Sequence, residues 1–123
     1  MRYATMDIII CPICKFYPLN LRVFKEMKLE IVTVTHRPYC RFFCALHNKY
    51  VAELVHVDCE ECLSHDIVWG ILCCPKCKNY YPIILGVPLM YPQYLRQNQK
   101  VRALINIFMR KFRLDPANIV CNT

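Results

Sequence analysis

The sequence predicts an α+β chain built on a small antiparallel sheet, and three observations carry that expectation. A cysteine–proline turn occurs twice, β-branched and aromatic runs flank it, and apolar residues recur at helical spacing near the C-terminus.

The repeated turn reads CPICKFYPLNL from Cys11 and CPKCKNYYPIIL from Cys74. Both copies run Cys-Pro-x-Cys-Lys, then reach an aromatic residue, a proline and an apolar stretch. A tetrahedral zinc ion needs sulfurs about 2.3 Å from the metal. A Cys-x-x-Cys turn supplies two of them on one side, and proline after the first cysteine pre-sets φ for the bend. Two such knuckles facing one ion complete a closed site, so Cys11, Cys14, Cys74 and Cys77 are the expected ligands. Strands are expected at Asp7–Ile10, Ile67–Cys73 and Tyr80–Leu85, making each knuckle a hairpin tip. The fold class is therefore a zinc ribbon with a helical insertion and a C-terminal helix. The ribbon spans about residues 6–20 and 66–92, with an inserted strand and helix over about 21–65, and a helix and tail over 93–123. Proline follows Cys74, which assigns Cys74 to the metal and leaves Cys73 on the opposite face of its strand as a small core residue. Lys15 and Lys78 stand where glycine often follows a knuckle, and a positive φ there would carry strain.

Within the insertion, Leu29–Val34 reads as a strand. After Pro38, the residues Tyr39, Phe42, Phe43, Leu46, Tyr50 and Leu54 recur at helical spacing, which predicts a helix from about Tyr39 to Leu54. It would place Cys40 and Cys44 on one face. The stretch DCEEC adds Cys59 and Cys62, so Cys40, Cys44, Cys59 and Cys62 form a candidate second site. Zinc, paired disulfides and free thiols all fit that spacing. His47 could replace a cysteine, though a lone helical histidine is more often a surface residue. His36, His56 and His65 carry no ligand spacing, and Cys121 has no assigned partner.

Beyond the second knuckle, YYPIILGVPLMY carries no charge. Gly86 and Pro88 interrupt regular pairing, as at a sheet edge. Val87, Leu89, Met90 and Tyr91 either close the core or form an exposed margin that another chain pairs with. A last helix, from about Tyr94 to Phe112, aligns Val101, Leu104, Ile105, Phe108 and Phe112 in one stripe for docking on the same chain.

The totals bound the function. The chain has 123 residues, is 56% hydrophobic with ten cysteines, and has a mean hydropathy of +0.22. No apolar run approaches the roughly 20 residues of a membrane helix, and the N-terminus lacks the apolar core of a secretory signal. A cytoplasmic protein follows, where thiols favour metal over disulfides. The formal net charge is +7, but each four-thiolate zinc lowers it by about two. The basic residues Arg96, Lys100, Arg102, Arg110, Lys111 and Arg113 concentrate near the C-terminus without an acid among them. A nucleic-acid-binding zinc ribbon is therefore the alternative class. An enzyme is not expected. A zinc closed by four cysteines activates no water, no acid/base carboxylate pair stands out, and two glycines leave no phosphate loop.

Taken together, Cys11–Leu19 and Ile71–Met90, above all YPIILGVPLM from Tyr81, resemble the small zinc-ribbon subunits that activate methyltransferases, in an archaeal-like form. The resemblance covers about residues 6–92. It implies a non-catalytic subunit of S-adenosylmethionine-dependent, class I methyltransferases that act on tRNA or a release factor. The cofactor would be bound by the partner alone. It also implies a heterodimer formed by sheet-edge pairing, with contacts at Ile8, Ile10, Ile84, Val87, Pro88, Leu89 and Met90. The basic C-terminal helix lies beyond the family core and offers an indirect contact to tRNA.

Overall fold

The computed structural model describes residues 1–29, 38–56 and 58–115. Its main sheet is formed by β1 (Asn20–Lys28), β4 (His65–Cys73), β5 (Tyr80–Ile84) and β6 (Val87–Pro88), in that spatial order and antiparallel throughout. A separate two-stranded ribbon pairs β2 (Phe43–Cys44) with β3 (Lys49–Tyr50). Two helices follow these strands in different places: α1 (Cys59–Leu63) precedes β4, and α2 (Gln99–Lys111) follows the sheet.

β4 is the central strand, and its neighbours fix the knuckles. Asn20 pairs with Cys73 on one side, and Tyr80 pairs with Cys73 on the other. The chain therefore leaves the first knuckle into β1 and the second into β5, at the same end of the sheet. Past the β5–β6 turn, Met1 takes over the lane beside β4: the Ile67 N–H donates to the Met1 carbonyl at 2.6 Å, and Met1 N donates to the Gly86 carbonyl at 2.8 Å. Gly86 has φ +82, a conformation that side chains rarely adopt.

Strand alternation sorts the side chains into two cores. Leu21, Val23, Leu72, Tyr81 and Ile83 face the N-terminal segment and the Cys11 and Cys74 knuckles. Phe24, Trp69, Ile71, Tyr80 and Ile84 face α2. Asn98 caps that helix by accepting from the Lys100 N–H at 2.9 Å and the Val101 N–H at 3.4 Å. Ile105, Phe108 and Met109 are its buried stripe, with Val101 and Phe112 partly buried beside them. Phe112 stacks on Phe24 with centroids 4.7 Å apart and lies 5.5 Å from Trp69. Burying Phe108 alone is worth about 1.5–3 kcal/mol. The apolar stripe thus docks on its own sheet, as its spacing predicts, although Leu104 stays largely outside it.

Three expected elements differ. Asp7–Ile10 is not a strand: a 3-10 turn occupies Tyr3–Asp7, and β1 after the knuckle is the strand that pairs with β4. The carboxylate of Asp7 explains the change, because it accepts N–H bonds from Arg41 at 2.9 Å, Phe42 at 2.8 Å and Phe43 at 2.9 Å. The helix expected over Tyr39–Leu54 is absent as well. Asn48 takes a left-handed φ of 53°, folding the chain back into the β2–β3 hairpin, where Phe43 meets Tyr50 edge-on at 5.8 Å. The helical spacing was a coincidence of cross-strand pairing, and Val51–Glu53 is a further 3-10 turn. The last helix begins only at Gln99, after a 3-10 turn at Gln93–Leu95. The strand expected at Leu29–Val34 lies, Leu29 apart, outside the described residues, as do His36 and Cys121.

Candidate metal centre and apolar margin

The two knuckles are near copies. In the first, the Cys14 N–H donates to Cys11 Sγ at 3.5 Å, Lys15 N–H to the Cys11 carbonyl at 2.9 Å, and Cys11 N–H to the Phe16 carbonyl at 3.0 Å. The second repeats all three, with Cys77 N–H to Cys74 Sγ at 3.5 Å, Lys78 N–H to the Cys74 carbonyl at 2.9 Å, and Cys74 N–H to the Asn79 carbonyl at 2.9 Å. Closing each turn demands a left-handed residue after the second cysteine: Lys15 has φ 65° and Lys78 has φ 63°. The strain expected from the sequence is present at both.

Across the pair, Cys11 Sγ lies 3.6 Å from Cys77 Sγ, and Cys14 Sγ lies 3.3 Å from Cys74 Sγ. All four sulfurs fall within 4.8 Å of one another, and among the described residues no other His, Cys, Asp or Glu group is drawn together so closely. A tetrahedron with ~2.3 Å arms has edges of ~3.8 Å, so the set fits one zinc ion. Two further contacts had no signal in the spacing. The Tyr81 hydroxyl lies 3.2 Å from Cys11 Sγ, and Asn79 Nδ2 donates to Cys77 Sγ at 3.2 Å. Burial pushes the Cys11 thiol up, but the Cys14 N–H, the Tyr81 hydroxyl and the Ile13 N–H outweigh it and bring it down to about 6. Burial dominates at Cys74 and holds it at about 12, with its neighbour Cys14 adding to the rise. A divalent ion would offset the repulsion between four closely spaced thiolates and supply a closed, structural centre.

The remaining predicted site residues divide. Ile8 is 78% exposed, Val87 56% and Ile10 44%, while Ile84, Pro88, Leu89 and Met90 are half-buried. Met90 packs on the core beside the knuckles, Leu89 on the core under α2, and Tyr91 is buried there. The apolar tail therefore does both things considered for it: its end closes the cores and its start stays outside. Leu85, 71% exposed beside Gly86, joins the exposed part and was not anticipated. Cys40, Cys44, Cys59 and Cys62 are buried free thiols lining one small cavity. Cys59 and Cys62 sit on α1 rather than in a knuckle turn. Cys73 is buried in the core position expected, but its sulfur is disulfide-bonded. His56 bonds Asp58 at 2.9 Å, and His65 lies 2.8 Å from the Glu61 carbonyl.

An antiparallel sheet that brings two matching knuckles together around four cysteines, with an α-helix covering one face, is an α+β protein of the zinc-ribbon class whose four sulfurs fit one metal ion. Residues 2–86, more than half of the chain, match the family described as Trm112p-like protein. The chain belongs to the Trm112p-like family, which suggests a methyltransferase activator. No curated protein and no solved structure matches it. No helix among the described residues is long and apolar enough to cross a membrane.

Proposed function

We propose that the chain is a non-catalytic subunit that activates and stabilises S-adenosylmethionine-dependent methyltransferases acting on tRNA, translation factors or both, in the cytoplasm. The observation that carries this reading is the set of exposed, uncharged side chains Ile8, Ile10, Leu85 and Val87 on a ribbon whose knuckle end holds the four-sulfur centre. The segment holding Ile8 and Ile10 runs from Met1, bonded to Gly86, to Cys11, which lies against Tyr81. It therefore travels along the same side of the molecule as the β5–β6 turn. β6 ends the sheet, and among the described residues no strand lies beyond it.

Each part has a physical task. Zinc held by Cys11, Cys14, Cys74 and Cys77 leaves no open coordination position, so it holds structure and activates no water. By pinning both knuckles it fixes the end of the sheet and the segment that leads into Cys11. The margin then offers apolar side chains and backbone edge groups to a class I methyltransferase, forming a heterodimer by sheet-edge pairing. Ile84, Pro88, Leu89 and Met90 back the exposed residues. The methyl donor and the substrate are bound by the partner.

Co-expression with candidate methyltransferases tests the reading. A partner should gain solubility or activity, and Ile8→Asp or Val87→Asp should weaken the complex more than tenfold while the isolated chain keeps its zinc. If no methyltransferase gains either property and the chain is monodisperse alone, the proposal fails. The alternative, a nucleic-acid-binding ribbon, has a narrower base. Arg96 lies over the rings of Tyr80, Tyr81 and Tyr91, and Lys111 over Trp69, so both cations are engaged by their own chain. Lys100, Arg102, Arg110 and Arg113 remain exposed and offer an indirect contact to tRNA within a complex. Salt-sensitive tRNA binding by the chain alone would favour the alternative.

A further inference from the structure

The lobe of residues 38–56 and 58–63 is built inside out. Six of its residues are buried: Cys40, Phe43, Cys44, Cys59, Cys62 and Leu63. Four of those six are thiols, and Phe43 belongs to the core beside the knuckles. Of its other large apolar side chains, Tyr39 (48%), Phe42 (63%), Tyr50 (46%) and Val55 (fully) are exposed, while Leu46, Val51 and Leu54 are only half-buried. Regular structure is limited to the two-residue strands β2 and β3, one 3-10 turn and the single turn of α1. A hydrophobic core would reverse this arrangement. Small units that lack a core are held by disulfides or by metal.

We infer that Cys40, Cys44, Cys59 and Cys62 form a second, structural site for a thiophilic divalent cation such as zinc, which staples this lobe to itself. All four line one cavity, otherwise walled mainly by Pro38, Val51, Leu54 and Leu63. Two come from the stretch around β2 and two from α1, so one ion would join the two segments of the lobe. The Tyr39 N–H already donates to Cys59 Sγ at 3.4 Å, as the knuckle amides do to Cys11 and Cys74. The four are free thiols in a structure whose Cys73 is disulfide-bonded, which favours metal over disulfides. The set is more open than the first, because no three of these sulfurs lie within 4.8 Å of one another. Loading therefore draws α1 and the β2 strand together. Zn2+ replaces the four thiol protons, which pass to solvent, and no sulfur is oxidised.

The test is the zinc content of the full chain, purified under reducing conditions with zinc present. Two ions per chain are expected by elemental analysis and native mass spectrometry. Cys59→Ser with Cys62→Ser should leave one. If that double variant fails to fold, stepwise chelation of the native protein replaces it: a second ion must leave as Cys40, Cys44, Cys59 and Cys62 become open to alkylation. One ion per chain overturns the proposal, whether the four sulfurs are then alkylated freely or have each lost a hydrogen to form two disulfides. Two ions retained after loss of Cys59 and Cys62 would overturn the assignment too.

Discussion

Two regions of this chain each carry four cysteines, and they are organised in opposite ways. At the knuckles, every sulfur is placed by backbone that is already committed elsewhere. The strands β1, β4 and β5 bring the turns to one end of the sheet, and matching amides point at Cys11 and Cys74. In the lobe, the four thiols share a cavity but only Cys44 sits in a strand, the two-residue β2, and burial with neighbouring charge pushes Cys40 and Cys62 up to about 12. The first set is pre-organised by the fold, whereas the second must organise the fold around it. Cysteine count and spacing do not separate these cases, but hydrogen bonds to sulfur and distances between sulfurs do.

The largest expected effect comes from removing the metal at the pre-organised set. Cys74→Ser should leave the ribbon unfolded or molten, since a structural zinc supplies on the order of 10 kcal/mol of apparent folding energy. Loss of the cooperative thermal transition is the measurement, and a variant that melts like the parent would show that β4 and its neighbours hold the knuckles unaided.

The link between the two regions should matter next. Asp7 sits before the first knuckle, yet its carboxylate holds Arg41, Phe42 and Phe43 of the lobe. Asp7→Ala leaves three N–H groups without that acceptor and should cost about 3 kcal/mol, read as a shift in the urea midpoint. Amide exchange at Arg41–Phe43 should rise more than in β4. Uniform change across both regions would show that the lobe does not depend on this bond.

Acid should act through the same carboxylate. Burial raises its pKa, but the three N–H bonds and the Tyr17 hydroxyl outweigh burial and hold it below the ordinary carboxylate value. The folded state therefore binds this proton less readily than the unfolded state does. The contribution is fully present above about pH 4, the unfolded value, and is lost as pH falls through the lower folded value. Stability curves of the parent and Asp7→Asn should converge at the acid end.

The smallest effect sharpens the contrast within the repeat. Lys15→Gly and Lys78→Gly remove a left-handed side chain at equivalent positions, and each should stabilise by up to about 1 kcal/mol. Equal shifts in melting temperature would confirm that the knuckles bear equal strain, and unequal shifts would locate the tighter turn.

Much of the ribbon was legible in the residues. The repeated Cys-Pro-x-Cys, the paired prolines and the β-branched run before Cys73 reveal both knuckles, β4, β5 and the four sulfurs, because tight turns and buried strands leave local signatures. The buried stripe of α2 was legible for the same reason: Ile105, Phe108 and Phe112 lie at helical intervals. Residues 39–54 were not legible. Their apolar spacing suits a helix, but the left-handed turn at Asn48 and the distant carboxylate of Asp7 select a hairpin. Long-range hydrogen bonds leave no period in a sequence. Exposure also belongs to the tertiary structure, which buries Tyr91 and leaves Leu85 and Val87 outside. Residue type by itself thus determined what could bind metal and what could be buried. The packing of β1 and the N-terminal segment against β4 decided which sulfurs meet and which apolar side chains are left for a partner, because those outcomes depend on contacts between residues far apart in the chain.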